Sequence, residues 1–301
     1  MNDETTTVLL IMNGEAAADD ELRETVAHIR DRGFEIEVRV TWESGDAHRY
    51  AAEFGGGSSG VDAIVACGGD GTLNEVINAV MKLDERPMIG GLPYGTGNDF
   101  LRGLGIEPRH AVEQFETWLD IPPTAIDVGC ANGTYFLNMA SAGIAAEVTA
   151  EASREFKEVA GSFAYFVRAI PAAFDIPAHR AKISGGEELD WTGDLAFCFV
   201  GNGQQSGGGW RICPAARLND GLLDVVIVPS MPLREMARHG REMVKAEAPG
   251  DYGPLVYRQI EAFSVQFEET VPMNLDGEPV DGERFEFRAM PEAIRFLVPP
   301  A

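Results

Sequence analysis

Lysine, cysteine and long apolar runs are all scarce in this 301-residue sequence. Only four lysines occur, and 48 acidic residues against 24 basic ones leave a formal net charge of -24. Because no basic stripe is available to neutralise phosphates, nucleic acid is excluded as a partner. Excess acid with little lysine also predicts a halophilic protein, since concentrated salt screens self-repulsion. An acidic protein of ordinary salt conditions is the alternative.

The few cysteines and the short apolar runs predict the compartment. Cys67, Cys130, Cys198 and Cys213 have no metal-binding spacing, so we expect buried, reduced thiols rather than a disulfide scaffold or zinc site. No apolar run approaches the roughly 20 residues that cross a bilayer, and residues 1–7 are polar and acidic, unlike a signal peptide. A soluble, cytoplasmic protein is expected.

Two different patterns divide the chain. Up to about residue 127, apolar strand runs, the first of them at 7–12, alternate with helical spacing, which predicts a parallel α/β sheet with ligands at the carboxyl ends of its strands. Between residues 128 and 289, strand runs joined by Gly, Asn and Asp turns, among them those at 135–140 and 259–267, predict a second, antiparallel β-rich domain. A helical insertion is expected at 151–174, with an apolar stripe that suits a core or a lipid. The last strand, at 293–298, should return to the first domain, so that domain comprises 1–127 and 290–301.

Two glycine-rich turns follow strands of the first domain. They read GGDGTLNEV from Gly68 and PYGTGNDF from Pro93. Glycine lets backbone N–H groups approach a ligand closely, and a following helix start adds unpaired donors, so each turn suits a phosphate. Asp70 and Asp99 would repel a bare phosphate, so Mg²⁺ or a water network around it should lie between them. A nucleotide site with Mg²⁺ is expected.

Five motifs in order resemble the diacylglycerol kinase catalytic-domain family, and in particular its small soluble bacterial and archaeal lipid kinases. The two glycine turns are followed by IDVG from Ile126 with Asn138 soon after, by PAARLNDGLLD from Pro214, and by NLDGEP from Asn274. The resemblance implies an α/β nucleotide domain and a β-rich domain, with the active site between them. It covers nearly the whole chain.

The resemblance implies roles for individual residues. ATP would be bound by residues of the first domain, which are Asn13, Thr41, Gly68, Gly69, Asp70, Gly71, Thr72, Leu73, Asn74, Gly95, Thr96 and Asn98. Asp70, Asp99 and Asp127 match acids linked to the catalytic Mg²⁺ through waters. Glu278 would accept the proton of the lipid hydroxyl, with Asp276 as its metal-network partner, although the reverse assignment stays open.

A second Mg²⁺, structural in role, is also implied. Asp220 would supply a carboxylate, and the carbonyls of Arg217 and Leu222 would complete the oxygen shell. Ordinary Asp-Gly turns are the alternative both there and at Asp276-Gly277. One departure concerns the first strand: where the family has an Asn-Pro-x-Ser-Gly loop, this chain has Asn13 followed by Gly-Glu-Ala-Ala, which places the charge of Glu15 near the triphosphate.

The expected function is an ATP- and Mg²⁺-dependent lipid kinase of phospholipid biosynthesis, acting on a diacylglycerol-like lipid alcohol during transient contact with the membrane surface. A kinase of a soluble substrate such as NAD, and a non-catalytic nucleotide or lipid sensor, are the alternatives. NAD kinases lack the PxGTxND and LDGE motifs, and a sensor would not need five acids around one phosphate. Edge strands of the second domain could pair in a homodimer.

Overall fold

The computed structural model describes residues 6–56, 60–143, 178–206 and 210–298. It divides into two compact units, one made of Met1–Ile126 with Glu292–Ala301 and the other of Asp127–Pro291. The predicted helical insertion at 151–174, with its apolar stripe, lies outside the described residues. All four cysteines are buried and unpaired, as expected.

The first unit alternates strands and helices. Its elements in chain order are β1 (Thr7–Met12), α1 (Gly14–Ala17), α2 (Asp20–Asp31), β2 (Glu35–Val40), α3 (Asp46–Phe54), β3 (Ala63–Gly68), α4 (Asp70–Val80), β4 (Met88–Pro93), α5 (Asp99–Gly103), α6 (Pro108–Trp118) and the start of β5 (Thr124–Ala131). β3 is buried along its whole length, as expected for a strand covered on both faces.

The strands of this unit pair in parallel. β1 lies between β2 and β3, and β3 pairs with β4, with Met12 opposite both Val40 and Cys67. Near the end of the chain, Phe296 pairs in parallel with Ile89 of β4. Because the carboxyl ends of parallel strands share one edge of a sheet, the two glycine turns, which follow β3 and β4, lie at the same edge.

The second unit is built from antiparallel strands. Its elements are the rest of β5, β6 (Thr134–Phe136), β7 (Met139–Gly143), β8 (His179–Gly185), β9 (Leu189–Gly201), β10 (Gln205–Ser206), β11 (Trp210–Arg211), β12 (Leu223–Pro229), α7 (Leu233–Ala246), β13 (Gly250–Tyr252), β14 (Leu255–Ile260), β15 (Ala262–Leu275) and β16 (Glu278–Phe296), whose last residues belong to the first unit. β12 pairs with β9 and β14, and β15 pairs with β7, β8 and β16.

The sequence-based strand bounds are wrong in two places. The run at 135–140 is two strands, because the backbone at 137 and 138 turns its N–H groups toward the carboxylate of Asp276. The run at 259–267 is likewise divided at Glu261, where the chain stops pairing with β12 at Ile260 and begins to pair with β16 at Ala262. In both places, partners from distant parts of the chain decide where the strand ends.

One helix of the second unit was not predicted. α7 buries Met236, His239, Gly240 and Met243, at the i, i+3, i+4 and i+7 spacing of an amphipathic helix. The spacing is visible in the sequence, but only two of these four residues are apolar in the usual sense. The helix packs on the cluster that includes Tyr257 and Val226.

Candidate active site

The two glycine turns of the first unit touch each other through their backbones. A Cβ added at Gly95 would lie 2.4 Å from Cα of Gly69, and one added at Gly69 would lie 3.2 Å from Cα of Gly95. A side chain at Gly95 would collide with the backbone of the first turn, and one at Gly69 would push the second turn away by a few tenths of an ångström, so glycine suits both positions. The turns predicted to hold phosphate therefore form one continuous surface.

Asp70 belongs to the first turn, and its carboxylate is hydrogen-bonded to the backbone that follows the second turn. It begins α4, and its Oδ2 and Oδ1 atoms accept hydrogen bonds from the N–H groups of Asp99 (3.2 Å) and Phe100 (3.4 Å) at the start of α5. Asp70 and Asp99 are thus brought together, as the metal prediction requires. The same carboxylate also has a structural task, because it satisfies N–H groups at a helix start.

Asn98 closes the second turn on itself. Its amide group accepts from the N–H of Gly95 (3.1 Å) and donates to the carbonyl of the same residue (2.6 Å), and its backbone has a φ of 53°. Asparagine tolerates this left-handed conformation better than most residues. Its side chain is buried and occupied within the turn, whereas the neighbouring Thr96 is exposed.

Asn13 fixes the end of β1 to both turns. Its backbone N–H donates to the carbonyl of Cys67 (2.9 Å), and its Nδ2 donates to the carbonyl of Tyr94 (2.9 Å). Its Oδ1 caps α1 by accepting from the N–H of Ala16 (2.9 Å). Gly14–Ala17, which differ from the loop that the resemblance leads one to expect, therefore form a single helical turn with Glu15 exposed on it.

Tyr94 also ties the second turn to α2. Its hydroxyl donates to Oδ2 of Asp19 at 2.6 Å, and this hydrogen bond lowers the pKa of Asp19, which caps α2. Sequence reasoning assigned no role to either residue. The apolar-polar pattern gives no signal for such a pair, since 75 positions separate them.

Thr41 lies at the carboxyl end of β2, next to β1. Its N–H and its hydroxyl both donate to the carbonyl of Met12, at 2.8 and 3.3 Å. The loop that follows is held by two carboxylates, of Asp46 and Glu75, through backbone N–H groups. Glu75 belongs to the first glycine motif but was not predicted to have a role.

Asp127 lies in the second unit and is fully buried. Its Oδ2 accepts from the N–H of Gly221 (2.7 Å), and its own N–H donates to the carbonyl of Leu218 (2.6 Å). Asn202, which sequence reasoning missed, donates from Nδ2 to the carbonyls of Asp127 (3.1 Å) and Leu137 (2.7 Å). Asp127 is therefore built into the 218–221 loop.

The 217–222 loop fits a hard divalent cation by its donor chemistry. Burial raises the pKa of Asp220, and the negative charge of Asp127 adds to the effect. A cation beside two mutually repelling carboxylates would relieve that repulsion, and backbone carbonyls are suitable further ligands. Within the described ranges, however, no three His, Cys, Asp or Glu side chains group as a metal cluster, so a cation here would depend on backbone carbonyls or waters for its remaining ligands.

Asp224 ends the same motif and is a buried acid that was not predicted as a site residue. Burial raises the pKa of Asp224 to about 7, against hydrogen bonds from the Tyr257 hydroxyl and from Gln259 (3.2 Å). It joins β12 to β14, since Tyr257 and Gln259 both belong to β14. Its position indicates a structural role.

Asp276 and Gly277 form the two-residue turn between β15 and β16. Both have positive φ, 50° and 103°, and Leu275 pairs with Glu278 across the turn. The carboxylate of Asp276 accepts from the N–H groups of Leu137 (2.5 Å), Asn138 (3.1 Å) and Met139 (2.8 Å). Asp276 thus anchors the β6–β7 connection, and Glu278 stands exposed at the first position of β16.

Comparison with known proteins gives two matching family models. Residues 7–131 match the diacylglycerol kinase catalytic domain, and residues 138–298 match the YegS C-terminal NAD kinase beta sandwich-like domain. In the described part of the chain, no helix has both the length and the apolar character needed to cross a bilayer.

Curated relatives and solved structures align over nearly their full lengths. A protein of Stenotrophomonas maltophilia named "Probable lipid kinase YegS-like" is 38% identical over 96% of this chain and 95% of its own length. A protein of Chromohalobacter salexigens with the same name is 37% identical over 96% and 92%. A diacylglycerol kinase structure from Bacillus anthracis shares the fold, with a TM-score of 0.73 at 22% identity over 98% of this chain and 97% of that one.

Proposed function

Since this chain belongs to the diacylglycerol kinase catalytic-domain family and is a lipid kinase, we propose that it transfers the γ-phosphate of ATP to the hydroxyl group of a diacylglycerol-like lipid. The observation that carries the proposal is the contact between the two glycine turns, at Gly69 and Gly95. It forms one surface of backbone N–H groups and helix starts, which suits a polyphosphate.

Each acid has a task in this reaction. Asp70 and Asp99 would face the ATP phosphates held by the first unit. Mg²⁺, when bound, would neutralise the charge that develops on the transferred phosphoryl group. Glu278, exposed at the start of β16, would take the proton from the lipid hydroxyl as that oxygen bonds to phosphorus and the bond to the β-phosphate oxygen breaks. Asp276 would hold the adjacent backbone, so that Glu278 projects from a fixed turn.

The first test is transfer of labelled γ-phosphate from ATP to a total lipid extract with Mg²⁺ in molar KCl. We expect a labelled, chloroform-soluble product with the wild-type protein, and chromatography of that product names the lipid. Labelled NAD in the aqueous phase would instead indicate a soluble acceptor. Nucleotide binding without any phosphoryl transfer would indicate a sensor.

The charge of the chain leads to a second expectation. A protein of net charge -24 is repelled by anionic headgroups, and salt screens this repulsion. We propose that the protein is halophilic and works in the cytoplasm at the membrane surface. Its activity on vesicles with anionic lipid should therefore rise as KCl increases into the molar range. Sucrose of equal osmolality is the control, and an optimum in dilute buffer would contradict the proposal.

A further inference from the structure

Trp42 is the most exposed large hydrophobic side chain in the described part of the chain. Its side chain is 94% accessible to solvent, and it directly follows Thr41 at the carboxyl end of β2. Leaving an indole in water forgoes the hydrophobic stabilisation that burial of its ring would give. Such a residue suggests a ligand that covers it.

The loop that carries Trp42 is held rigidly by Asp46. The Oδ2 atom of Asp46 accepts from the N–H groups of Trp42 (2.8 Å) and Glu43 (3.2 Å), while its Oδ1 atom pairs with Arg49 (2.5 Å). These interactions lower the pKa of Asp46 to about 2, and the hydrogen bond from the Trp42 N–H contributes most. The backbone of Trp42 is therefore fixed before any ligand arrives, which reduces the entropy cost of binding.

The same loop is joined to the phosphate turn by Glu75. Its Oε1 atom accepts from the N–H of Gly45 (3.0 Å), and its Oε2 atom accepts from the N–H groups of Ala47 (3.1 Å) and His48 (3.3 Å). Glu75 lies on α4, the helix that starts at Asp70. One helix thus positions both the phosphate turn and the loop of Trp42.

The spacing of the strands matches the dimensions of a nucleotide. β2 and β3 are separated only by β1, so their carboxyl ends are about 10 Å apart. This is comparable to the separation of a nucleotide's base from its outer phosphates. A ligand with its phosphates on the turn after β3 can therefore extend its base toward the end of β2.

We propose that Trp42 stacks on the base of the nucleotide whose phosphates occupy the glycine turns. The inference rests on the proposed function, because it requires a nucleotide there. A lipid surface is the less suitable occupant, since the exposed Glu43 directly beside Trp42 is negatively charged and would be repelled by anionic headgroups. Because every base has an aromatic face, stacking on Trp42 gives affinity for a base with little discrimination between purines.

The test compares ATP with inorganic tripolyphosphate, which has no base. Calorimetry with wild type, Trp42→Ala and Trp42→Phe gives the Kd of each probe. We expect Trp42→Ala to weaken ATP binding by about 5- to 150-fold and to leave tripolyphosphate binding unchanged, with Trp42→Phe close to wild type. An unchanged Kd for ATP in Trp42→Ala would overturn the inference, as would an equal loss for both probes.

Two further outcomes separate this inference from the proposed function. If wild type binds ATP through Trp42 but labels no lipid, only the lipid acceptor is wrong. If wild type binds tripolyphosphate and not ATP, both the nucleotide dependence and the stacking are wrong. Weaker sedimentation of Trp42→Ala with phosphatidylcholine vesicles, at an unchanged Kd for ATP, would assign Trp42 to the membrane and overturn the stacking.

Discussion

Replacing Glu278 by glutamine is expected to lower the kcat of lipid phosphorylation by about 10²- to 10⁴-fold, because the variant has no group to accept the hydroxyl proton. The side chain is exposed, so thermal unfolding should be unchanged. The KM for ATP should change little, since Glu278 acts on the lipid acceptor. Initial rates of γ-phosphate transfer to lipid vesicles at saturating ATP measure the effect.

Glu283→Gln is the matched control for this prediction. Glu283 is an exposed glutamate on the same strand, β16, and removal of its charge changes the local field in a similar way. Its kcat should stay close to that of wild type. Wild-type activity in Glu278→Gln would exclude Glu278 as the proton acceptor and transfer the role to another acid.

Replacing Asp276 by alanine is expected to lower the free energy of unfolding by about 2–4 kcal/mol, because it leaves the N–H groups of Leu137, Asn138 and Met139 without their charged acceptor. Alanine also fits the left-handed conformation at this position less well. Asp276→Asn keeps an acceptor oxygen and suits that conformation, so it should cost about half as much. Urea unfolding of wild type and both variants gives these differences.

The same pair of variants separates two roles of Asp276. A positioning role predicts that activity and stability fall together and that Asp276→Asn recovers part of both. If Asp276→Ala unfolds at the wild-type urea concentration and yet loses activity, the carboxylate serves the metal network instead, as the family resemblance implies. The hydrogen bonds to residues 137–139 favour the positioning role.

The local pattern was sufficient where an element's ends are set by its own residues. The strand predicted at 7–12 has those bounds in the structure, since its apolar run and flanking polar residues mark both ends. The break at Leu137 and Asn138 could not be predicted, because its cause, Asp276, lies 139 positions from Leu137. Long-range acceptors of this kind have no periodic signature.

The candidate site shows the same limit. The sequence motifs identify Asp70, Asn98 and Asp276, but not that their polar groups bind neighbouring backbone. Motifs mark residues that a site needs, whether for ligands or for the geometry of turns. Only the three-dimensional structure distinguishes a ligand-binding residue from one that shapes a turn. Trp42 was missed because exposure is a tertiary property that composition does not reveal.

The contact between Gly69 and Gly95 has a consequence for sequence variation in this chain. A side chain at either position displaces the backbone of the other turn. Substitutions at these two glycines, which are 26 positions apart in the sequence, are therefore expected to have coupled effects on stability. A first substitution at either glycine already separates the two turns, so a second one adds little. The loss in free energy of unfolding in the double variant should therefore be smaller than the sum of the losses in the two single variants. The effect of a substitution at one of these two glycines therefore depends on the residue at the other.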